Sequence, residues 1–281
     1  DFWHDTLKEK FTPFLKNLLK DQVSLPLRSH PPAQFCRSRP HESIDIQLQD
    51  WLSKGVVSQV PKTQTHFACS LFPIIKETGN PLAPVKIRTI FNGVPLNKFL
   101  NAPKFTLPRQ EDLLYLLCTS SYACVLDVKD AFFHIGITEN HRHLLSFFYR
   151  GHHYRFNVLP FGIAPSPYFW HVIFAPWVAF ISAYISCHAY VDELLLTAAS
   201  EKFLQQAVLN VLKILLKAGF LFGLPKLILQ PREVVVYHGW LLDFKNKTIS
   251  PRKSISYAQR LLTSLLHKRF HLENWLPPLA C

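Results

Sequence analysis

The sequence predicts an α+β fold in which an antiparallel sheet is backed by helices. The first sign is an order of elements. An apolar strand ends in Asp127, a Pro-x-Gly loop and a helix follow, then a hairpin carrying Asp192 and Glu193 at its tip, then a second strong helix. This β-α-β-β-α unit sets the end of one strand beside the hairpin tip of its neighbour. The second sign is composition: 281 residues, 48% hydrophobic and 14% aromatic, suffice for a large core and argue against a disordered chain.

Taken in order, residues 5–20 carry Leu7, Phe11, Phe14, Leu15 and Leu18 at helical spacing, and Pro26, Pro31 and Pro32 follow as a linker. Residues 42–54 read as a helix with Ile44, Leu48, Trp51 and Leu52 on one face and Gly55 after its end. A short strand at 56–60 stops at Pro61. The next strand, 70–76, turns through Gly79-Asn80-Pro81 into an arm at 85–91 that alternates basic and apolar residues. Its cationic face suits phosphate, or is simply solvated. Pro108 opens a helix with Glu111 and Asp112 in the first turn and Leu113, Leu114, Leu116 and Leu117 beyond. Residues 144–158 form an aromatic hairpin around Gly151, and 159–165 form a tight loop into a helix at 166–183. The strong helix Glu201–Ala218 presents Leu204, Val208, Val211, Leu212, Leu215 and Leu216, and Gly219 closes it. A strand pair at 234–242 and a basic amphipathic helix at 254–268 complete the chain.

The formal charge of +12 favours a polyanionic partner, nucleic acid before anionic membrane. Six cysteines show no C-x-x-C pairing or zinc rhythm and read as buried free thiols of a reducing compartment. The absence of methionine, position 1 included, predicts a segment of a longer reading frame, and no signal peptide is visible. The expected location is intracellular. Residues 168–187 are long and apolar enough to span a bilayer, but Pro176 and His171 interrupt them, so a buried helix and strand is the reading preferred.

Taken alone, Asp192-Glu193 reads as an exposed acidic turn. Beside Asp127 it becomes a cluster of three carboxylates, which raise each other's pKa unless cations compensate. Two Mg²⁺ ions are the natural partners and serve in-line phosphoryl transfer. Arg88-Thr89-Ile90-Phe91-Asn92-Gly93-Val94-Pro95-Leu96-Asn97, Leu126-Asp127-Val128-Lys129-Asp130-Ala131-Phe132, Leu159-Pro160-Phe161-Gly162, Tyr190-Val191-Asp192-Glu193, Leu224-Pro225-Lys226 and Tyr237-His238-Gly239-Trp240 stand in one order along the chain. In that order they resemble the motifs of the reverse transcriptases. Leu-Pro-Phe-Gly is similar to the form found in long-terminal-repeat (gypsy-like) and related retrotransposons, and the flanks resemble the tyrosine-recombinase-bearing class.

The resemblance implies a right-hand polymerase with fingers, a ferredoxin-like palm and a partial thumb. It divides the chain into an N-terminal helical extension (1–30), fingers (31–107), first palm segment (108–136), fingers hairpin (137–158), second palm segment (159–245) and the start of a thumb (246–281). It implies RNA-directed DNA polymerase activity, with two Mg²⁺ ions or Mn²⁺ in their place. Asp127, Asp192 and Glu193 would be catalytic, and Asp127, Asp192 and the Val128 carbonyl would hold metal. Lys86, Arg88, Phe132, Phe161, Gly162 and Lys226 would bind the nucleotide. Tyr190, Trp240, Lys253 and Arg260 would contact nucleic acid. Implied partners are a primed RNA or DNA template, dNTP, and the rest of a polyprotein (RNase H, recombinase or integrase) outside these residues, with no membrane.

Two positions depart from the family pattern. Glu193 replaces the second Asp of Tyr-x-Asp-Asp, and Val94 stands where many relatives have Arg. A shift of the carboxylate by roughly 1 Å can cost about 10²-fold in rate. A catalytically inactive module that binds nucleic acid is therefore the alternative, and a membrane-associated basic protein a third.

Overall fold

The computed structural model describes residues 22–65, 67–76, 86–109, 111–223 and 227–251. The helices expected at 5–20 and 254–268, and the turn at 79–81, lie outside them.

Fourteen strands are described. The first nine are β1 (Gln34–Phe35), β2 (Val57–Val60), β3 (Phe67–Cys69), β4 (Leu71–Lys76), β5 (Lys86–Phe91), β6 (Tyr122–Asp127), β7 (Ser146–Tyr149), β8 (His152–Phe156) and β9 (Ser186–Tyr190). β10 (Glu193–Ala198), β11 (Ile228–Arg232), β12 (Val234–Tyr237), β13 (Trp240–Asp243) and β14 (Thr248–Pro251) follow. They make sheets ordered β1-β3-β7-β8-β2, β11-β6-β10-β9, β12-β13-β14 and β4-β5. The sequence indicated the β9–β10 and β12–β13 hairpins; β11 and β14 are additions. Pro231 within β11 is tolerated because β11 is an edge strand, and its register to β6 slips between Ile228 and Arg232.

The β11-β6-β10-β9 sheet is covered on both faces, which explains its continuous apolar runs. Cys124, Leu126, Leu194 and Leu196 join a core with Trp170 and Phe174 of the helix Ser166–Ser182 and with Leu204, Val208 and Val211 of the helix Glu201–Ala218. Ala123, Val125 and Leu195 face a second cluster made with Leu113, Leu116 and Leu117 and with Val235, Tyr237 and Leu242 of the three-stranded sheet. Leu195 is fully buried there. Leu195→Ala is expected to cost about 2–5 kcal/mol, read as a lower urea midpoint.

The helix ends follow the local chemistry. The Ser200 side chain accepts from the Phe203 N–H, and Gly219 ends that helix at φ +102°. Some sequence assignments shift. The helix predicted from Pro108 is recorded as Glu111–Thr119, with the Asp112 carboxylate accepting from the Arg109 N–H. Leu52, Leu114 and Leu216 are exposed, because each falls one position outside the buried stripe of its helix. Cys118 is exposed for the same reason, whereas burial pushes the Cys69 and Cys124 thiols up to about 12. No described helix is long and apolar enough to cross a membrane.

Candidate active site

Val191 and Asp192 form the two-residue turn between β9 and β10, with Glu193 paired to Tyr190. Val191 has φ +52°, a conformation a β-branched residue adopts only when its surroundings impose it. Two contacts do so. The Trp170 Nε1–H donates to the Val191 carbonyl at 2.6 Å, and the Val128 N–H donates to the Asp192 carbonyl at 2.8 Å. The second bond ties the turn to the residue after Asp127.

Asp127 ends β6 and is only 5% exposed. Its carbonyl accepts from the Gly223 N–H at 3.1 Å, and its Oδ1 lies 3.3 Å from where a Cβ on Gly223 would stand. Glycine there keeps the space beside the carboxylate open. Glu193 is directly opposite Asp127 in the ladder. Its Oε2, however, accepts from the His238 N–H at 2.8 Å. Among the described residues no group of three His, Cys, Asp or Glu side chains stands ready to hold a metal ion. The expected three-carboxylate cluster thus becomes two aspartates at linked backbone positions and a glutamate bonded to another turn.

That turn joins β12 to β13. His238 (φ +46°) and Gly239 (φ +79°) both lie in the left-handed region, as a type I′ hairpin requires. The Tyr190 and His238 rings meet with centroids 3.5 Å apart. Beneath them, Tyr237 Oη is 2.9 Å from His188 Nδ1, 3.0 Å from the His188 carbonyl and 3.4 Å from the Glu193 carbonyl. His188 Nε2 reaches the Arg109 carbonyl at 3.2 Å. Burial pushes the Tyr237 phenol far up and holds His188 below the usual histidine value.

Phe132 sits on the 3₁₀ turn Ala131–His134, which follows Asp130 in a left-handed conformation (φ +50°). Phe132 is 7% exposed and packs on the half-exposed Phe161 at 4.7 Å between centroids. Gly162 has φ +97°, and a Cβ there would collide with the Phe91 carbonyl; a Cβ on Gly93 would collide with the Gly162 carbonyl. Asn97 bridges the two segments: its Nδ2 donates to the Gly162 carbonyl at 3.0 Å and its Oδ1 accepts from the Ala164 N–H at 2.8 Å. Arg88 is exposed on β5, whose last residue is Phe91. Lys86 begins that strand, Val94 is 65% exposed, and Trp240 packs on the second core cluster. Lys226, Lys253 and Arg260 lie outside the described residues.

The His134 Nε2 accepts from the Leu221 N–H at 2.9 Å while its Nδ1 lies 3.0 Å from the Ala131 carbonyl. This fits a neutral ring with the proton on Nδ1. Burial is the main cause holding His134 and His188 below the ordinary value of 6.5. The folded state therefore binds fewer protons than the unfolded chain below that value. Their contribution is complete above about pH 6.5 and is lost as pH falls through the lower folded values. A urea midpoint that declines from pH 7.5 to pH 5 is expected; one that stays constant contradicts the assignment.

A family model described as reverse transcriptase (RNA-dependent DNA polymerase) matches residues 83–234, more than half of the sequence. The chain belongs to the reverse transcriptase family. Among its relatives is the genome polyprotein of Petunia vein clearing virus (isolate Hohn), 25% identical over 219 residues, covering 76% of this chain and 10% of that polyprotein. The retrovirus-related Pol polyprotein from transposon 412 of Drosophila melanogaster is 29% identical over 202 residues, covering 70% and 16%. The chain therefore spans a small part of the curated relatives it matches. A solved foamy viral protease-reverse transcriptase in complex with double-stranded DNA superposes with a TM-score of 0.68 at 18% identity, covering 93% of this chain and 48% of that one. At that identity the likeness establishes the fold, that of a reverse transcriptase polymerase domain.

The sequence motifs contain Asn97, Gly223 is adjacent to one, and Tyr237 and His238 belong to another, yet sequence alone assigned them no role. Trp170 and His188 carry no motif signal, since their work is to reach a strained carbonyl and a buried hydroxyl far away in sequence.

Proposed function

We propose that this domain is the RNA-directed DNA polymerase of a retroelement polyprotein, adding dNTP to a primer 3′-OH on an RNA or DNA template. The observation that carries the reading is the link between the end of β6 and the β9–β10 turn, the Val128 N–H···O Asp192 bond of 2.8 Å. It supports Asp127 and Asp192 acting as one unit.

The donors available there suit Mg²⁺ or Mn²⁺. They are hard oxygens, two carboxylates with the Val128 carbonyl as a third donor, and glycine at 223 leaves room beside Asp127. Two protein carboxylates suffice for Mg²⁺, which keeps waters and takes further ligands from substrate phosphates. Two bound ions would supply charge stabilisation to the attacking and leaving oxygens of an in-line transfer. In this reading Arg88, with Lys86, holds the triphosphate. Phe132, braced by Phe161, forms a wall under the sugar and rejects a 2′-OH by occupying its space. Phe161 and Gly162 line the nucleotide pocket, and Lys226 donates a proton to the leaving pyrophosphate. Tyr190 and Trp240 contact the primer-template, and Lys253 and Arg260 track the phosphates. RNase H, recombinase or integrase segments would be supplied by other parts of the polyprotein.

The Glu193–His238 bond favours a second reading, a module that binds template-primer without extending it. Primer extension on an RNA template with Mg²⁺ and dNTP separates the two. Extension is expected; tight template-primer binding with no product would establish the second.

A further inference from the structure

Glu193 is one methylene longer than the aspartate of the family motif, roughly 1.5 Å of extra reach. That reach is used. Oε2 lies 2.8 Å from the His238 N–H, 45 residues away, inside the β12–β13 turn. The same turn meets the catalytic hairpin through the Tyr190 and His238 rings and through Tyr237 Oη near the Glu193 carbonyl. Three separate contacts thus connect the 190–193 hairpin to the 237–239 turn, and Glu193 contributes the charged one, the stronger class of hydrogen bond.

We propose that Glu193 is a positioning residue: its carboxylate locks the 237–239 turn onto the catalytic hairpin, and metal binding is left to Asp127 and Asp192. The inference rests on the polymerase reading for its effect on extension, but the lock itself exists without metal or nucleic acid. The substitution is then a re-use of the longer side chain, and the β12–β13 turn depends on it for its placement against the β9–β10 hairpin.

Two substitutions separate acceptor reach from charge. Glu193→Gln keeps an acceptor oxygen at the same distance and removes the charge. Glu193→Asp keeps the charge and shortens the reach. Hydrogen exchange of the His238 amide is measured on the whole domain without metal or template, alongside Glu193→Ala. Glu193→Gln is expected to lose about fivefold in protection, the step from a charged to a neutral acceptor, while Glu193→Asp and Glu193→Ala lose about twentyfold or more, the range for a hydrogen bond to a charged group lost outright. Extension rates follow the same order, Gln above Asp and Ala, with the half-saturating Mg²⁺ concentration unchanged. Amide exchange indifferent to Glu193→Ala overturns the proposal. So does the reverse order in extension, with Glu193→Asp faster than the parent and Glu193→Gln impaired with a raised Mg²⁺ requirement, since a metal ligand needs charge. If the parent chain extends no primer, the polymerase reading fails by itself, and the order of amide protection still decides the lock.

Discussion

Asp192→Asn is expected to reduce primer extension by at least about 10²-fold, the scale of losing one preorganised electrostatic contact to a transition state. Asp192 is the second residue of the turn, and its carbonyl, not its side chain, receives the Val128 N–H. Asparagine therefore leaves that backbone bond and the strained Val191 conformation in place while it removes the charge. The melting temperature should stay close to the parent's, and template-primer affinity should change little. Asp127→Asn should lose extension to the same degree. Loss of both together should be no worse than either alone, because residues that act as a unit are not additive. A gel assay of single-nucleotide addition reads this directly. Parent-like extension by Asp192→Asn would remove Asp192 from the chemistry.

Gly162→Ala is expected to damage both stability and activity. At φ +97° an L side chain pays roughly 1–2 kcal/mol in conformation, and the new Cβ meets the Phe91 carbonyl, which is backbone and cannot rotate away. Relieving such a clash typically adds about 1–3 kcal/mol. The loop must then shift, and Phe161 shifts with it over Phe132. A displacement of about 1 Å at the proposed nucleotide pocket can cost on the order of 10²-fold in extension. Asn97→Ala is the milder companion, removing two hydrogen bonds to the same loop without adding an atom. A urea midpoint and an extension rate for Gly162→Ala both matching the parent would contradict this account of the loop.

The β11-β6-β10-β9 sheet and its covering helices were largely legible because their signals are local and periodic. The order of β6, the helix Ser166–Ser182, the β9–β10 hairpin and the helix Glu201–Ala218 could be read from apolar spacing, a Pro-x-Gly loop and a closing glycine. The leucines of β10 are divided between two clusters, Leu194 and Leu196 in one and Leu195 in the other, so both faces are covered. β11 was missed because a proline interrupts it, and β14 because its two strand formers, Thr248 and Ile249, run at once into Ser250 and Pro251. At the site, the motifs placed Asp127 beside the hairpin but could not say where the Glu193 carboxylate would point. Its partner is a backbone N–H, which every non-proline residue carries, so no residue type announces it. Trp170 was illegible for a related reason: an indole N–H bonded to a carbonyl leaves no trace in sequence pattern.

The most direct test of the metal assignment is a diffraction experiment on the domain bound to primer-template and dNTP, with Mn²⁺ replacing Mg²⁺ and located by its anomalous scattering. Metal at coordination distance, about 2 Å, from carboxylate oxygens of both Asp127 and Asp192, with Glu193 still bonded to the His238 N–H, is the expected result. Metal bound through Glu193, or an ordered complex with no metal at Asp127 and Asp192, would contradict it.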